Sequence, residues 1–106
     1  MGTVDAEAKL RRIVLDVLKP HDPSIVELAR ELANLPGVDG ANVNIYEVDR
    51  KVENAKVTLE GDDLSYESIL SIIQDGGGTV HSLDEAVAGK VLIEDAPTLQ
   101  DAKSLG

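Results

Sequence analysis

The chain of 106 residues has no cysteine, phenylalanine or tryptophan, and its 20 acidic against 10 basic residues leave a formal charge of −10. That length fits one domain around one aliphatic core. The missing thiols exclude disulfides, thiolate metal centres, iron–sulfur clusters and cysteine nucleophiles, and the acidic surplus repels a phosphate backbone, so nucleic acid is not an expected partner.

No apolar run approaches the ~18 residues of a membrane span, and Met1 to Lys9 is polar without the apolar core of a signal peptide. The expected location is the cytoplasm, away from any membrane. Residues 1–9 read as a flexible lead-in, 10–93 as the folded domain and 94–106 as a flexible acidic tail.

Within the domain, Ile13 to Leu18 is nearly continuously apolar and rich in β-branched residues, the pattern of a strand buried in the middle of a sheet. Ile13, Leu15 and Val17 share one face of it, and Val14, Asp16 and Leu18 the other. Pro20 ends the strand, and Asp22 followed by Pro23 reads as an N-cap and a first helical residue. Ile25, Leu28, Ala29 and Leu32 make the stripe of an amphipathic helix, which Pro36 and Gly37 stop.

Asn42 to Val48 alternates, with Val43 and Ile45 facing one way and Asn42, Asn44 and Tyr46 the other. After a charged turn, Ala55 to Glu60 alternates again, with Val57 and Leu59 on the buried side. Ser65 then reads as the cap of a second helix, with Leu64 and Ile69 spaced as a hydrophobic staple and Ile69, Ile72 and Ile73 as its stripe. Gly76 to Gly78 ends that helix. Thr79 to Val87 forms the last strand, whose apolar positions break strict alternation and imply a bulge. Val91 to Ile93 has the character of a short edge strand in an oligomer.

Strand, helix, strand, strand, helix, strand is the βαββαβ order of a ferredoxin-like α+β sandwich. Its four-stranded antiparallel sheet has the first and third strands central and both helices on one face. The other face, carrying Val14, Asp16, Leu18, Asn44, Tyr46, Thr58 and Glu60, is too apolar for an ordinary solvated surface and is a candidate interface.

Leu15 to Ser24, Gly37 to Asn42, Tyr46 to Asp49, Glu60-Gly61 and His81 to Gly89 together resemble the archaeal family known as domain of unknown function 211, over residues 10 to 92. The resemblance implies a ferredoxin-like subunit, an archaeal source and a ring-like homo-oligomer. It implies no activity, because the family has none assigned.

Asp16 is the sharpest chemical candidate. A carboxylate in a central strand is costly to desolvate unless it is paired, hydrogen-bonded or metal-bound. Glu60 on the third strand is a candidate neighbour, and two such carboxylates suit a hard cation, Ca²⁺ or Mg²⁺. A contact with Thr58, Lys56 or a basic residue of another subunit is the structural alternative. His81 with Asp84 and Glu85 is a further candidate ligand set, although the spacing matches no established metal motif and a hydrogen-bonded strand end or a subunit contact is the favoured alternative. His21 and Lys19 stand near a helix N-terminus, where an anion could bind, but the segment has no glycines to wrap a phosphate.

The open face has only Tyr46 for stacking on a base, the loop after the first strand has no arginine for acyl-phosphate chemistry, and Ser24 and Ser82 make no convincing nucleophile. Two readings follow. One is a non-enzymatic homo-oligomer that binds a divalent cation through Asp16, Glu60, His81 and Asp84, and the other is a regulatory module that senses small molecules between subunits.

Overall fold

The order of elements follows from where the chain can and cannot bury apolar side chains: β1 (Leu10–Pro20), α1 (Ile25–Ala33), β2 (Val38–Val48), β3 (Val52–Gly61), α2 (Tyr66–Asp75) and β4 (Thr79–Ala88). The computed structural model describes residues 7–96. The strands form one sheet in the order β2-β3-β1-β4 with every neighbouring pair antiparallel. With a helix crossing over between β1 and β2 and between β3 and β4, this is the ferredoxin-like α+β fold.

Ile13, Leu15 and Val17 of β1 and Val57 and Leu59 of β3 are buried under Leu28 and Leu32 of α1 and Ile69 and Ile73 of α2. Period-two alternation in two central strands thus meets period-3.6 stripes in two helices, and the buried cluster itself is wholly aliphatic, with Tyr66 packed at its edge. Val43 and Ile72 pack around this cluster as partly buried neighbours.

Helix starts differ in how well the sequence marks them. Ser65 caps α2, its Oγ accepting from the Ser68 amide, and Leu64 and Ile69 are both buried beside it as the staple requires. In α1 the cap is Ser24, not the expected Asp22, and its Oγ accepts from the Glu27 amide at 3.2 Å. Ser24 takes the extended backbone of a cap, and Glu27 stands at the third helical position, the Ser-x-x-Glu spacing of a capping box. Asp22 and Pro23 belong to the preceding loop and are joined by a cis peptide bond.

All four strands run beyond their expected limits, and the pairing is interrupted in five places, one of them at Asp39, the extra residue between Val38 and Gly40 of β2. Between β1 and β4, partners jump from Val14/Glu85 to Leu15/Leu83 and from Asp16/Ser82 to Val17/Val80, leaving Asp84 and His81 as extra residues on β4. Arg11 is the extra residue on β1 near its start. Between β2 and β3, Ile45 pairs with Ala55 and Glu47 with Asn54, so Tyr46 is extra on β2. Each bulge re-aims the side chain it inserts.

Of the terminal segments, residues 1–6 and 97–106 lie outside the described residues, and so does most of the expected tail. Val91 to Ile93 is irregular in the single chain. Glu94 is tied down: its two carboxylate oxygens each accept from the Arg12 guanidinium at 2.9 Å. Ile93 comes beside Val87 in a shallow groove at the same corner.

Candidate functional site

On the open face, strand pairing sets out the side chains in rows. Arg12 stands opposite Glu60, Val14 opposite Thr58, Asp16 opposite Lys56 and Leu18 opposite Asn54. Beyond Lys56 lies Asn44 of β2, and beyond Asp16 lies Ser82 of β4. The row through Asp16 therefore reads Asn44, Lys56, Asp16, Ser82, polar from edge to edge.

Tyr46, the bulge residue of β2, joins this row: its hydroxyl donates to Asp16 Oδ1 across the width of β3. Asp16, Asn44, Tyr46, Lys56 and Asp84 line one shallow depression of about 550 Å³. The bond to Asp16, followed by desolvation, raises the Tyr46 pKa above the ordinary tyrosine value. Asn44 in turn donates its side-chain amide to Asn42 Oδ1, so the β2 side of the depression is itself hydrogen-bonded.

The expected neighbour relation between Asp16 and Glu60 is corrected by the register. Lys56 faces Asp16, and Glu60 lies four residues further along β3, roughly 13 Å away at the rise of a strand. Glu60 instead accepts from Arg12 Nε at 2.7 Å. Arg12 also meets Glu94 at 2.9 Å and Glu85 at 3.8 Å. Its pKa is raised by Glu94 first and Glu60 next, and Glu94 is held below the usual carboxylate range by the same contact.

His81 and Asp84 occupy the two β4 bulges. Asp84 reaches the depression and accepts from Ser82 Oγ at 2.8 Å, whereas His81 is exposed outside it. Of the four candidate ligands, the fold brings Asp16 and Asp84 to one depression and leaves Glu60 and His81 elsewhere. Among the described residues no group of three or more histidine and carboxylate side chains converges on one point.

A second polar cluster lies on the helix-covered side, at the end of the sheet where β1 stops. Lys19 continues the buried parity of Leu15 and Val17, with only 3% of its surface exposed, and stands directly opposite Glu53 of β3. Its Nζ donates to Glu53 Oε1 at 2.9 Å and to the Pro20 carbonyl at 2.7 Å. The other Glu53 oxygen lies 3.0 Å from His21 Nδ1. His21 and Lys19 together hold the Glu53 carboxyl below its ordinary range, as expected for a carboxylate between two cationic donors. His21 and Lys19 are thus occupied by an internal carboxylate rather than set out for an external anion. The signal in the sequence was Lys19 itself, a charged residue at a core position of a central strand, and Glu53 at the same parity as Val57.

Comparison with known proteins adds a family. Residues 11–102 match the family model DUF211, described as Uncharacterized ArCR. The chain is 52% identical over 92 residues to Uncharacterized protein MJ0319 of Methanocaldococcus jannaschii, an alignment that covers 87% of this chain and 95% of that protein. The family match takes in all of the βαββαβ unit but Leu10, and the chain belongs to the DUF211 family.

Proposed function

We propose that this protein is a non-enzymatic cytoplasmic subunit that assembles with copies of itself into a ring and binds a divalent cation, Ca²⁺ or Mg²⁺, on its open sheet face. The observation that carries this reading is the pair of sheet edges. β2, with 11 residues, and β4, with 10, are the outer strands, so each has one row of backbone donors and acceptors unused by the sheet. Proteins that remain single copies blunt such edges with lysine and other charged residues, proline, bulges or very short strands, and of these both edges here carry bulges and acidic residues.

Neither edge strand contains a lysine or a proline. Both carry exposed apolar side chains, Tyr46 and Val48 on β2 and Leu83 on β4. The edges differ in sequence and lie on opposite sides of the sheet, so joining one to the other is a head-to-tail contact, and head-to-tail contacts that close make rings. For the cation, the supporting feature is the depression that Asp16 and Asp84 share with the Asn44 amide, a set of oxygen donors suited to a hard ion. Lys56 in the same depression opposes it, which favours weak binding.

Native mass spectrometry with and without EDTA tests both halves. The expected result is a multiple of the subunit mass that carries metal, with the metal lost in EDTA and the assembly broken to single chains by Leu83→Lys. A single-chain mass under all conditions would sink the assembly reading.

The sensing alternative rests on a different feature, the groove along β2 lined by Asn42, Thr58 and Glu60. It predicts a rise in melting temperature with amino acids or nucleotides and none with Ca²⁺ or Mg²⁺.

A further inference from the structure

His21 makes two hydrogen bonds that a neutral imidazole cannot make together. Nδ1 lies 3.0 Å from Glu53 Oε2, and Nε2 lies 3.0 Å from the Arg50 carbonyl oxygen. A backbone carbonyl only accepts. Glu53 is also an acceptor: its carboxyl is held below the ordinary range and so is ionised, and its second oxygen accepts a hydrogen bond from the Lys19 ammonium at 2.9 Å. Each ring nitrogen must therefore carry a proton, and only the imidazolium has both.

We propose that His21 is a pH-dependent latch that holds the β2–β3 turn against the loop following β1, closed as the imidazolium and open as the neutral ring. The turn it holds is a unit in its own right. The Asp49 amide donates to the Val52 carbonyl at 3.0 Å, and the Lys51 and Val52 amides donate to Asp49 Oδ1 at 2.9 Å. The Arg50 carbonyl links that unit to His21. The turn also ends the edge strand β2, so the latch sets the order of Val48 and the residues after it.

The charged groups around the ring are Glu53 from β3, Lys19 from β1, Asp49, Arg50 and Lys51 in the turn, and the adjoining Asp22 of the loop. Glu53 is the nearest and favours the charged ring, and Lys19, neutralised by the same carboxylate, does not cancel it. The hydrogen bond to Glu53 first, and that to Arg50 second, raise the His21 pKa above the ordinary 6.5. The latch is therefore fully closed below the ordinary histidine range and opens as pH rises through the raised value. The Lys19–Glu53 bond does not involve the ring, so opening releases the turn and leaves the sheet end intact.

The test is an NMR titration of the whole protein from about pH 5 to about pH 9, a range that brackets histidine ionisation. It reads the His21 ring nitrogens and the amide exchange of Asp49, Lys51 and Val52, corrected for the intrinsic pH dependence of exchange. Both His21 nitrogens are expected to be protonated at the acid end, and protection of those amides to fall several-fold as His21 loses its proton. In His21→Gln, which has no such ionisation, protection should be flat across the range. A singly protonated His21 ring at the acid end, protection unchanged through its titration, or the same fall in His21→Gln would each overturn the proposal. If the variant does not fold, the wild-type titration still decides, because protection that stays constant while the His21 ring deprotonates overturns the proposal.

Discussion

The two faces of the sheet are made from alternate residues of the same strands, yet they are organised differently. On the helix-covered face the alternation of β1 and β3 runs unbroken through Ile13, Leu15, Val17, Val57 and Leu59, all at most 1% exposed. On the open face, two of the polar contacts, Tyr46 with Asp16 and Ser82 with Asp84, involve residues where alternation fails, for Tyr46 and Asp84 are bulge residues of the outer strands. The covered face is a packing problem with one solution, and the open face is a surface on which bulges place polar groups. Bulges belong where a side chain has to be re-aimed, at edges and beside sites.

Truncation separates the two faces most strongly. Leu59→Ala removes a fully buried side chain from the centre of the cluster and should cost about 2–5 kcal/mol in urea denaturation. Val14→Ala, one residue along from Ile13 but on the open face, should cost only about 1–2 kcal/mol measured on single chains. If Val14→Ala instead matches Leu59→Ala, the open face is covered as tightly as the other, and the assembly must bury it.

Glycine substitutions sharpen the same contrast. A Cβ on Gly61, on the covered face, would overlap the Gly37 carbonyl, where the end of β3 passes the turn after α1. Gly61→Ala should cost about 1–3 kcal/mol. Gly40 stands opposite Glu60 on the open face, and a Cβ there meets nothing within 4 Å. Gly40→Ala should therefore leave stability unchanged or raise it by up to ~1 kcal/mol. Thermal or urea melts of the two variants side by side check both signs.

Each face also holds one carboxylate below its ordinary range, Glu53 beside His21 and Lys19 on the covered side and Glu94 beside Arg12 on the open side. A carboxylate whose pKa is depressed by folding contributes stability that is present above its unfolded pKa and is lost as pH falls through its folded one. Both pairs should thus add to loss of stability in acid, below about pH 4.5. The two differ in exposure, 13% for the Glu53 side chain and 69% for Glu94. Added salt should erase the Glu94→Gln difference from wild type and leave most of the Glu53→Gln difference, because screening acts on exposed pairs. Acid melts at low and high salt read this directly.

What the sequence made legible follows the same division. Alternation and helical stripes are averages over many residues, so the core and the strand order survive local errors. The cap of α1 is written in the sequence, since Ser24 with Glu27 has the capping-box spacing and Asp22 followed by Pro23 does not. The neighbour of Asp16 was not legible. β1 and β3 are not joined by a turn, so nothing local sets their register, and a shift of four residues exchanges Glu60 for Lys56 without moving any side chain to the other face. The broken pattern after Thr79 did signal a bulge. Its position, and hence the aim of Asp84 and His81, depends on pairing with β1. Tyr46 carries no local sign of its bulge at all, and its bond to Asp16 is the contact on the open face least visible from the chain.

That bond gives the smallest and most specific effect. Tyr46 is 57% exposed, so Tyr46→Phe should leave the melting temperature within error of wild type while changing the spectroscopic titration of the protein. With Tyr46 and Tyr66 the only aromatic residues, phenolate absorbance at high pH has two contributors, and Tyr46→Phe identifies which is which. Asp16→Asn should bring the Tyr46 ionisation down, because the neighbouring carboxylate disfavours the phenolate. A divalent cation at Asp16 would act in the same direction, since it replaces the phenol as the partner of the carboxylate and favours a negative oxygen nearby. Adding Ca²⁺ or Mg²⁺ to wild type should lower the Tyr46 pKa, and adding it to Asp16→Asn should do nothing. A Tyr46 titration indifferent to both cations would remove the cation from the open face and leave the depression as a hydrogen-bonded surface held by the β2 bulge.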